Sequence, residues 1–280
     1  MVNFELFTSI RYDPVLLEAQ SLKSLSINDW NRRTASPWYM LDYHRDRMLR
    51  AATHFGWERA IAKIEGPEGL NALEHFLSRV TQEAGLRPHR VKILLYEDGK
   101  LDLQYSPIPQ KNLGALFPSH LPALGSDTND SVDTGNSQES TPPRELTYDI
   151  LIDSDATSPS EFTHYKTTSR EMYDDARRRH QLSLTDLKEV LLVNSNDGSI
   201  MEGSFTTPYF WRNGRWVTPP VSKEFREGRG SGGNDGTSRR WALERGIAVE
   251  ETVHADSLQN DEQVWLSTGV RGFVFGRIKR

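Results

Sequence analysis

The chain has 280 residues, no cysteine and a formal net charge of −5 at neutral pH. These totals exclude disulfides, thiolate metal sites and a cysteine nucleophile, and without a basic tract they give no electrostatic reason for a nucleic-acid partner. No apolar run reaches the roughly 20 residues of a membrane span, and the opening stretch lacks the layout of a secretory signal, so the expectation is a soluble cytoplasmic protein with no membrane partner.

Residues 2–10 alternate apolar and polar side chains, which predicts a first strand. Residues 16–35 are polar and weakly patterned. From Tyr39 the pattern turns helical, with Leu41, His44, Met48, Ala51 and Ala52 on one face and Gly56 as a stop after Phe55. A second helix is predicted from about Asn71 to Ala84, with Leu73, Phe76, Leu77 and Val80 inward and Gly85 at its end. The run VKILLYEDGKLDLQYS then reads as a hairpin turning at Asp98-Gly99. These elements predict a small N-terminal domain over residues 1–116.

Residues 117–145 change character. They are rich in Ser, Asp, Asn, Gly and Pro and poor in large apolar groups, so they cannot bury enough surface to offset their ordering entropy. A flexible linker or loop is expected there, followed by a larger C-terminal domain over 146–280. Residues 148–153 predict a short strand, and HYKTTSREMYDDARRRH leads into a helix near Ser169. From Glu189 to Pro220 the pattern is antiparallel strands. Asn196-Asp197-Gly198 separates the first two, and Asn213-Gly214 between Tyr209-Phe210-Trp211 and Trp216-Val217 is a strong short-hairpin signal. A glycine-dense loop follows, then a short helix ending at Gly246, strand candidates at 246–253 and 263–267, and the closing run STGVRGFVFGRIKR.

Five places could carry chemistry. Lys166 sits among His164, Tyr165, Thr167 and Thr168; lysines are nearly always solvated, but one held in a site can lose its proton and act as an amine nucleophile. Glu202 reads as an acidic residue in a Gly-Ser-Thr-rich bend between core strands, where it is either an exposed turn residue or a carboxylate aimed at a ring nitrogen. Gly236-Thr237-Ser238-Arg239 opens a helix, which is equally an ordinary cap or an anion site. Ser267-Thr268-Gly269-Val270-Arg271-Gly272 joins hydroxyls, a flexible backbone and a guanidinium, suited to phosphate or carboxylate, or simply forms a tight turn. Arg47, in His44-Arg45-Asp46-Arg47, lies on a helix and could be solvated.

Taken in order, His-x-x-Arg on an early helix, HYKTTSREMYDDAR, EGSFTT, GTSR at a helix start and STGVRG resemble the class IV fold of pyridoxal-phosphate enzymes, over nearly the whole chain except 107–147. The resemblance implies an α+β fold of two domains, a small N-terminal α/β domain and a larger C-terminal mixed one, with pyridoxal 5'-phosphate between them and a homodimer as the working form. It implies that Lys166 carries the internal aldimine and shuttles the proton, and that Glu202 faces the pyridine nitrogen. Arg47, Thr237, Ser238 and Thr268 would hold the phosphate. Arg271 is the candidate for the substrate carboxylate or the phosphate, with Arg170, Tyr165 and Trp211 less direct ones; no metal is implied. Two departures stand out: Thr207 where the family commonly has asparagine, and Gly-Gly-Asn-Asp-Gly before the helix start. The fuller wording resembles the fungal aminodeoxychorismate lyase branch. An aminotransferase of branched-chain or D-amino acids is the alternative, and a cofactor-free relative a third.

Overall fold

In a computed structural model of the chain, residues 4–21, 36–125, 141–144, 147–226 and 228–280 are described. The first alternating run forms β1 (Leu6–Tyr12), which with β2 (His89–Leu95) and β3 (Leu101–Pro107) makes a three-stranded antiparallel sheet in the order β1-β2-β3. The expected hairpin turn is present, with the Gly99 N–H donating to the Tyr96 carbonyl at 3.0 Å. Three helices cover this sheet: α1 (Leu41–His54), α2 (Glu58–Ile64) and α3 (Gly66–Ala84). Leu6, Ile10, Val91, Ile93 and Leu95 from the strands meet Met48, Ala52, Leu73, Leu77 and Val80 from the helices. Helix α3 begins at Gly66 rather than near Asn71, because Pro67 stands in the first turn, where its missing N–H costs nothing. Helix α2 was not anticipated.

The second sheet has eight strands: β4 (Thr147–Thr157), β5 (Lys188–Asn194), β6 (Ile200–Gly203), β7 (Thr207–Arg212), β8 (Arg215–Thr218), β9 (Val249–Glu250), β10 (Gln263–Thr268) and β11 (Gly272–Ile278). Their order is β6-β5-β4-β11-β10-β7-β8-β9. Strand β4 pairs parallel to both β5 and β11. A parallel β4–β5 connection must cross over, and α5 (Glu161–His164) and α6 (Glu171–Arg179) make that crossing. The Asn213-Gly214 hairpin forms with φ of 52° and 77° at the two residues. Strand β9 is two residues long, shorter than the predicted 246–253, and β11 was not anticipated.

Both faces of this sheet are covered, which is why its strands read as continuous apolar runs. On β10, Trp265 packs with Trp241 and Phe273 on one side, while Val264 and Leu266 pack with Ile150 and Phe210 on the other. Helix α4 (Leu113–Leu116) and α7 (Thr237–Glu244) lie on the Trp265 side. Phe117 and Leu121, at the start of the polar segment 117–145, are 1% and 4% exposed and join this core. Residues 126–140 and 145 of that segment lie outside the described residues.

Candidate active site

Lys166 lies in the β4–β5 crossing, between α5 and α6, where the chain meets the small sheet. Helix α5 is fixed first: Ser160 and Thr163 form a reciprocal capping box, and the Thr163 hydroxyl donates to the Gly232 carbonyl at 2.7 Å. The lysine segment then pairs with the edge of β1. Phe7 N–H donates to the Lys166 carbonyl at 3.0 Å, Thr168 N–H to the Glu5 carbonyl at 2.9 Å, and Leu6 bridges Thr167. The backbone on either side of Lys166 is therefore held by both domains.

The side chain reaches a cleft lined by Phe162, Tyr165, Thr167, Arg170, Tyr173, Glu202, Ser204, Phe205 and Asn234. Burial, with Arg170 and Arg47 nearby, holds the Lys166 amine well below its usual range, and Glu202 opposes that shift. Its Nζ lies 5.0 Å from the centroid of the Phe7 ring.

Glu202 is on strand β6, paired with Leu192, not in the bend expected from sequence. The Gly-Ser-Thr composition that suggested a bend belongs to the residues just after it. Its Oε1 accepts from the Tyr173 hydroxyl at 2.6 Å and from the Asn234 N–H at 3.0 Å. Burial raises the Glu202 carboxyl, while Tyr173 and then Lys166 pull it back down.

The glycine-dense loop presses on the strand that carries Glu202. A Cβ at Gly233 would stand 2.6 Å from the Met201 carbonyl oxygen, so only glycine permits this approach. The loop thereby delivers Asn234, whose side-chain amide donates to the His164 carbonyl at 2.9 Å. Neither Asn234 nor Tyr173 was singled out from sequence. Asn234 was visible only as part of the Gly-Gly-Asn-Asp-Gly departure, and Tyr173 only as one face of a helix.

At the other end of the site, α1 sends Arg47 and His44 toward the opening of α7. Arg47 Nη2 donates to the Thr8 hydroxyl at 2.6 Å, and that hydroxyl lies 2.6 Å from His44 Nδ1. A guanidinium only donates, so Thr8 accepts from Arg47 and shares its hydroxyl with Nδ1. His44 Nε2 lies 3.4 Å from the Thr237 hydroxyl. Burial, with Arg47 and Lys166 close by, keeps this histidine neutral. Burial also lowers Arg47 to about 10, so it stays charged at neutral pH.

Helix α7 opens at Gly236 with no side-chain cap, leaving its first N–H groups unmet by any capping side chain. Thr207, the departure noted above, is the neighbour here: a Cβ on Gly236 would lie 2.8 Å from its hydroxyl oxygen. A Cβ on Gly269 would fall 2.6 Å from His44 Cε1 and 2.7 Å from the Thr237 hydroxyl oxygen. The structure thus brings Arg47, Thr237 and the turn after Thr268 together. Ser238 is adjacent, but its hydroxyl is engaged 2.9 Å from that of Ser267. The Thr268 hydroxyl accepts from the Val270 and Arg271 N–H groups at 3.2 and 2.8 Å and shapes the turn.

Arg170 lines the cleft and donates to the Ser204 carbonyl at 2.8 Å. Arg271 is exposed, and its guanidinium donates to the Tyr148 hydroxyl at 3.0 Å. Tyr165 lines the cleft, whereas Trp211 packs against Trp216, 5.2 Å between centroids, away from it.

The profile of the amino-transferase class IV family matches residues 30–277. The chain belongs to that family. It is 27% identical over 215 residues to the aminodeoxychorismate lyase of Saccharomyces cerevisiae, an alignment covering 68% of this chain and 52% of that protein. It thus spans about half the length of the curated relatives it matches, 43% in the case of a Schizosaccharomyces pombe protein that is 32% identical over 109 residues, 38% of this chain. Among solved structures, a Mesorhizobium loti protein matches with a TM-score of 0.64 at 18% identity, over 99% of this chain and 100% of that one. The branched-chain amino acid aminotransferase of Escherichia coli matches with a TM-score of 0.56 at 16% identity, over 98% and 76%. These likenesses carry the fold, a small sheet domain and a larger one in an α+β arrangement, and class IV enzymes of both kinds depend in general on pyridoxal phosphate.

Proposed function

We propose that this chain is a pyridoxal-phosphate-dependent aminodeoxychorismate lyase, converting 4-amino-4-deoxychorismate to 4-aminobenzoate and pyruvate in folate synthesis. The observation that carries the reading is a collection of cations beside Lys166. Lys92 Nζ lies 5.0 Å from the Phe7 ring centroid, and the Arg170 guanidinium 5.9 Å from the same centroid. Burial lowers Arg90, and the neighbouring Arg271 and Arg170 lower it further. Lys92 is lowered by burial and then by Arg90, against a smaller opposing effect of Glu5. Like charges gathered at a cleft favour an anionic guest, and the proposed substrate carries two carboxylates. Arg271 and Arg170 are assigned to them, with Arg90 and Lys92 adding to the field.

The residues fit the cofactor. Arg47 Nε is buried and has no hydrogen-bond partner among the described residues, so a donor is free for a phosphate. The uncapped start of α7, with Thr237 and Ser238, offers further N–H groups, and Thr268 shapes the turn opposite. Glu202 supplies a carboxylate for the ring nitrogen, oriented by Tyr173 and Asn234. Bound pyridoxal phosphate supplies an electron sink for charge developing at the amino-bearing carbon of the substrate. Lys166 Nζ, which burial and nearby cations keep ready to lose its own proton, accepts the proton released at that carbon. The domains divide at the 117–145 segment, and a cytoplasmic homodimer is proposed as the working form.

The test is pyruvate release from 4-amino-4-deoxychorismate by the purified protein without an added keto acid. Release supports the lyase. Turnover of branched-chain or D-amino acids that requires a keto acid replaces this reading with the aminotransferase. A protein that stays colourless with added pyridoxal phosphate makes it a cofactor-free relative.

A further inference from the structure

Glu189, the second residue of β5, is 2% exposed and does not line the cleft. Its carboxylate is nevertheless spent on the turn that forms the cleft wall. Oε1 accepts from Val190 N–H at 2.9 Å, Ser204 N–H at 3.1 Å and the Ser204 hydroxyl at 2.5 Å, and Oε2 accepts from Phe205 N–H at 3.2 Å. Arg177 Nη1 lies 3.7 Å from Oε1 and donates to the same Ser204 hydroxyl at 3.0 Å. On the other side of the turn, Arg170 donates to the Ser204 carbonyl.

Glu202 is two residues before Ser204. Its strand β6 is the edge of the sheet, paired with β5 alone, and the β5–β6 register shifts just past the Leu192–Glu202 pair. An edge strand with an irregular ladder has little of its own to hold a side chain at a set height. The carboxylate of Glu189 supplies what the ladder does not.

We propose that Glu189 is a positioning residue: by binding the Ser204 and Phe205 backbone from behind, it sets where the Glu202 carboxylate and the Ser204–Phe205 wall stand in the site. The proposal rests on the reading that Glu202 faces pyridoxal phosphate. An amide cannot replace this carboxylate. Both of its oxygens accept N–H groups, so glutamine places an NH2 against at least one donor and the turn must move.

The experiment compares Glu189→Gln with Glu202→Gln and with Asp153→Asn. Asp153 is a matched control, a buried acid on β4 that accepts from Arg179 Nε at 2.9 Å and does not line the cleft. Each protein is titrated with pyridoxal phosphate, and the visible absorbance of the bound cofactor is followed against pH. Glu189→Gln is expected to shift the pH midpoint with the same sign as Glu202→Gln and to weaken cofactor affinity by about tenfold, the scale of one buried hydrogen bond to a charged group. Asp153→Asn is expected to lower the melting temperature and leave both values unchanged. Should Glu189→Gln fail to fold, Ser204→Ala removes the shared hydroxyl while keeping the backbone, and a smaller shift of the same sign is expected. A folded Glu189→Gln, or failing that Ser204→Ala, with wild-type midpoint and affinity overturns the proposal alone. A wild-type protein that takes up no pyridoxal phosphate removes the cofactor reading and the proposal with it.

Discussion

The Tyr173 hydroxyl, on α6, stands 2.6 Å from Glu202 Oε1, on β6, and 3.1 Å from the Thr163 carbonyl. A helix of the crossing thus holds a carboxylate of the sheet edge. Tyr173→Phe leaves Glu202 with the Asn234 N–H and removes its hydroxyl donor. The expected result is a folded protein whose turnover falls by roughly tenfold, since a hydrogen bond to a charged group contributes about 1.5–3 kcal/mol. Steady-state kinetics at saturating cofactor check this, and turnover equal to wild type would show that the bond does not tune Glu202.

Lys166→Ala is expected to abolish turnover and leave the fold intact. Burial and the like charges of Arg170 and Arg47 outweigh the attraction of Glu202 at this amine, so its removal relieves a net electrostatic cost. Thermal melting of the variant without cofactor should therefore lie at or above that of wild type. Turnover near wild type would remove Lys166 from the chemistry.

Gly233→Ala tests the contact between the glycine loop and β6. Its Cβ would meet the Met201 carbonyl at 2.6 Å, and forcing such overlap apart costs about 1–3 kcal/mol. Denaturant unfolding should show that loss, together with weaker cofactor uptake because Asn234 and Glu202 shift. An unchanged midpoint in denaturant would mean the loop yields freely.

Stability should fall on mild acidification. Burial pushes His164 down to about 4, with Arg50 and His54 acting the same way against Asp235. An unfolded histidine titrates near 6.5, so between roughly pH 6.5 and 4 the unfolded chain binds a proton the folded one refuses. Stability is then full above that window and is lost as pH falls through it, by up to about 3 kcal/mol. His164→Phe should reduce the pH dependence of melting between pH 7 and 5 without abolishing it, since buried His44 adds its own share; the same slope in both proteins would place the acid sensitivity elsewhere.

Some of this was legible in the chain before folding. The alternation of residues 2–10, the stripe Leu41–Met48–Ala52 and the Asn213-Gly214 turn each specify a local conformation, because the period of apolar side chains and the need for positive φ act within a few residues. Helix α3 was misplaced at its start because Gly66-Pro67 reads as a breaker when its position relative to the first turn is unknown. Strand β11 was missed because Gly272-Phe273-Val274-Phe275-Gly276 is apolar on both faces, and burial on both sides erases the alternation that marks a strand.

The order of motifs around Lys166, Glu202, Arg47 and the Gly236-Thr237-Ser238 helix start was enough, by the sequence alone, to point to the family and to those residues. What only the tertiary structure decided is how they are held. Tyr173, Asn234, Thr8 and Glu189 carry no signal of their own, since each is a common residue in a common element. Their roles arise from contacts between segments 15 to 39 residues apart, such as Glu189 with Ser204, Tyr173 with Glu202 and Arg47 with Thr8. Periodicity and turn chemistry are short-range and are written along the chain. The orientation of a buried donor toward a buried carboxylate is set by packing between distant elements, and it exists only once the two sheets and the crossing helices have closed on one another.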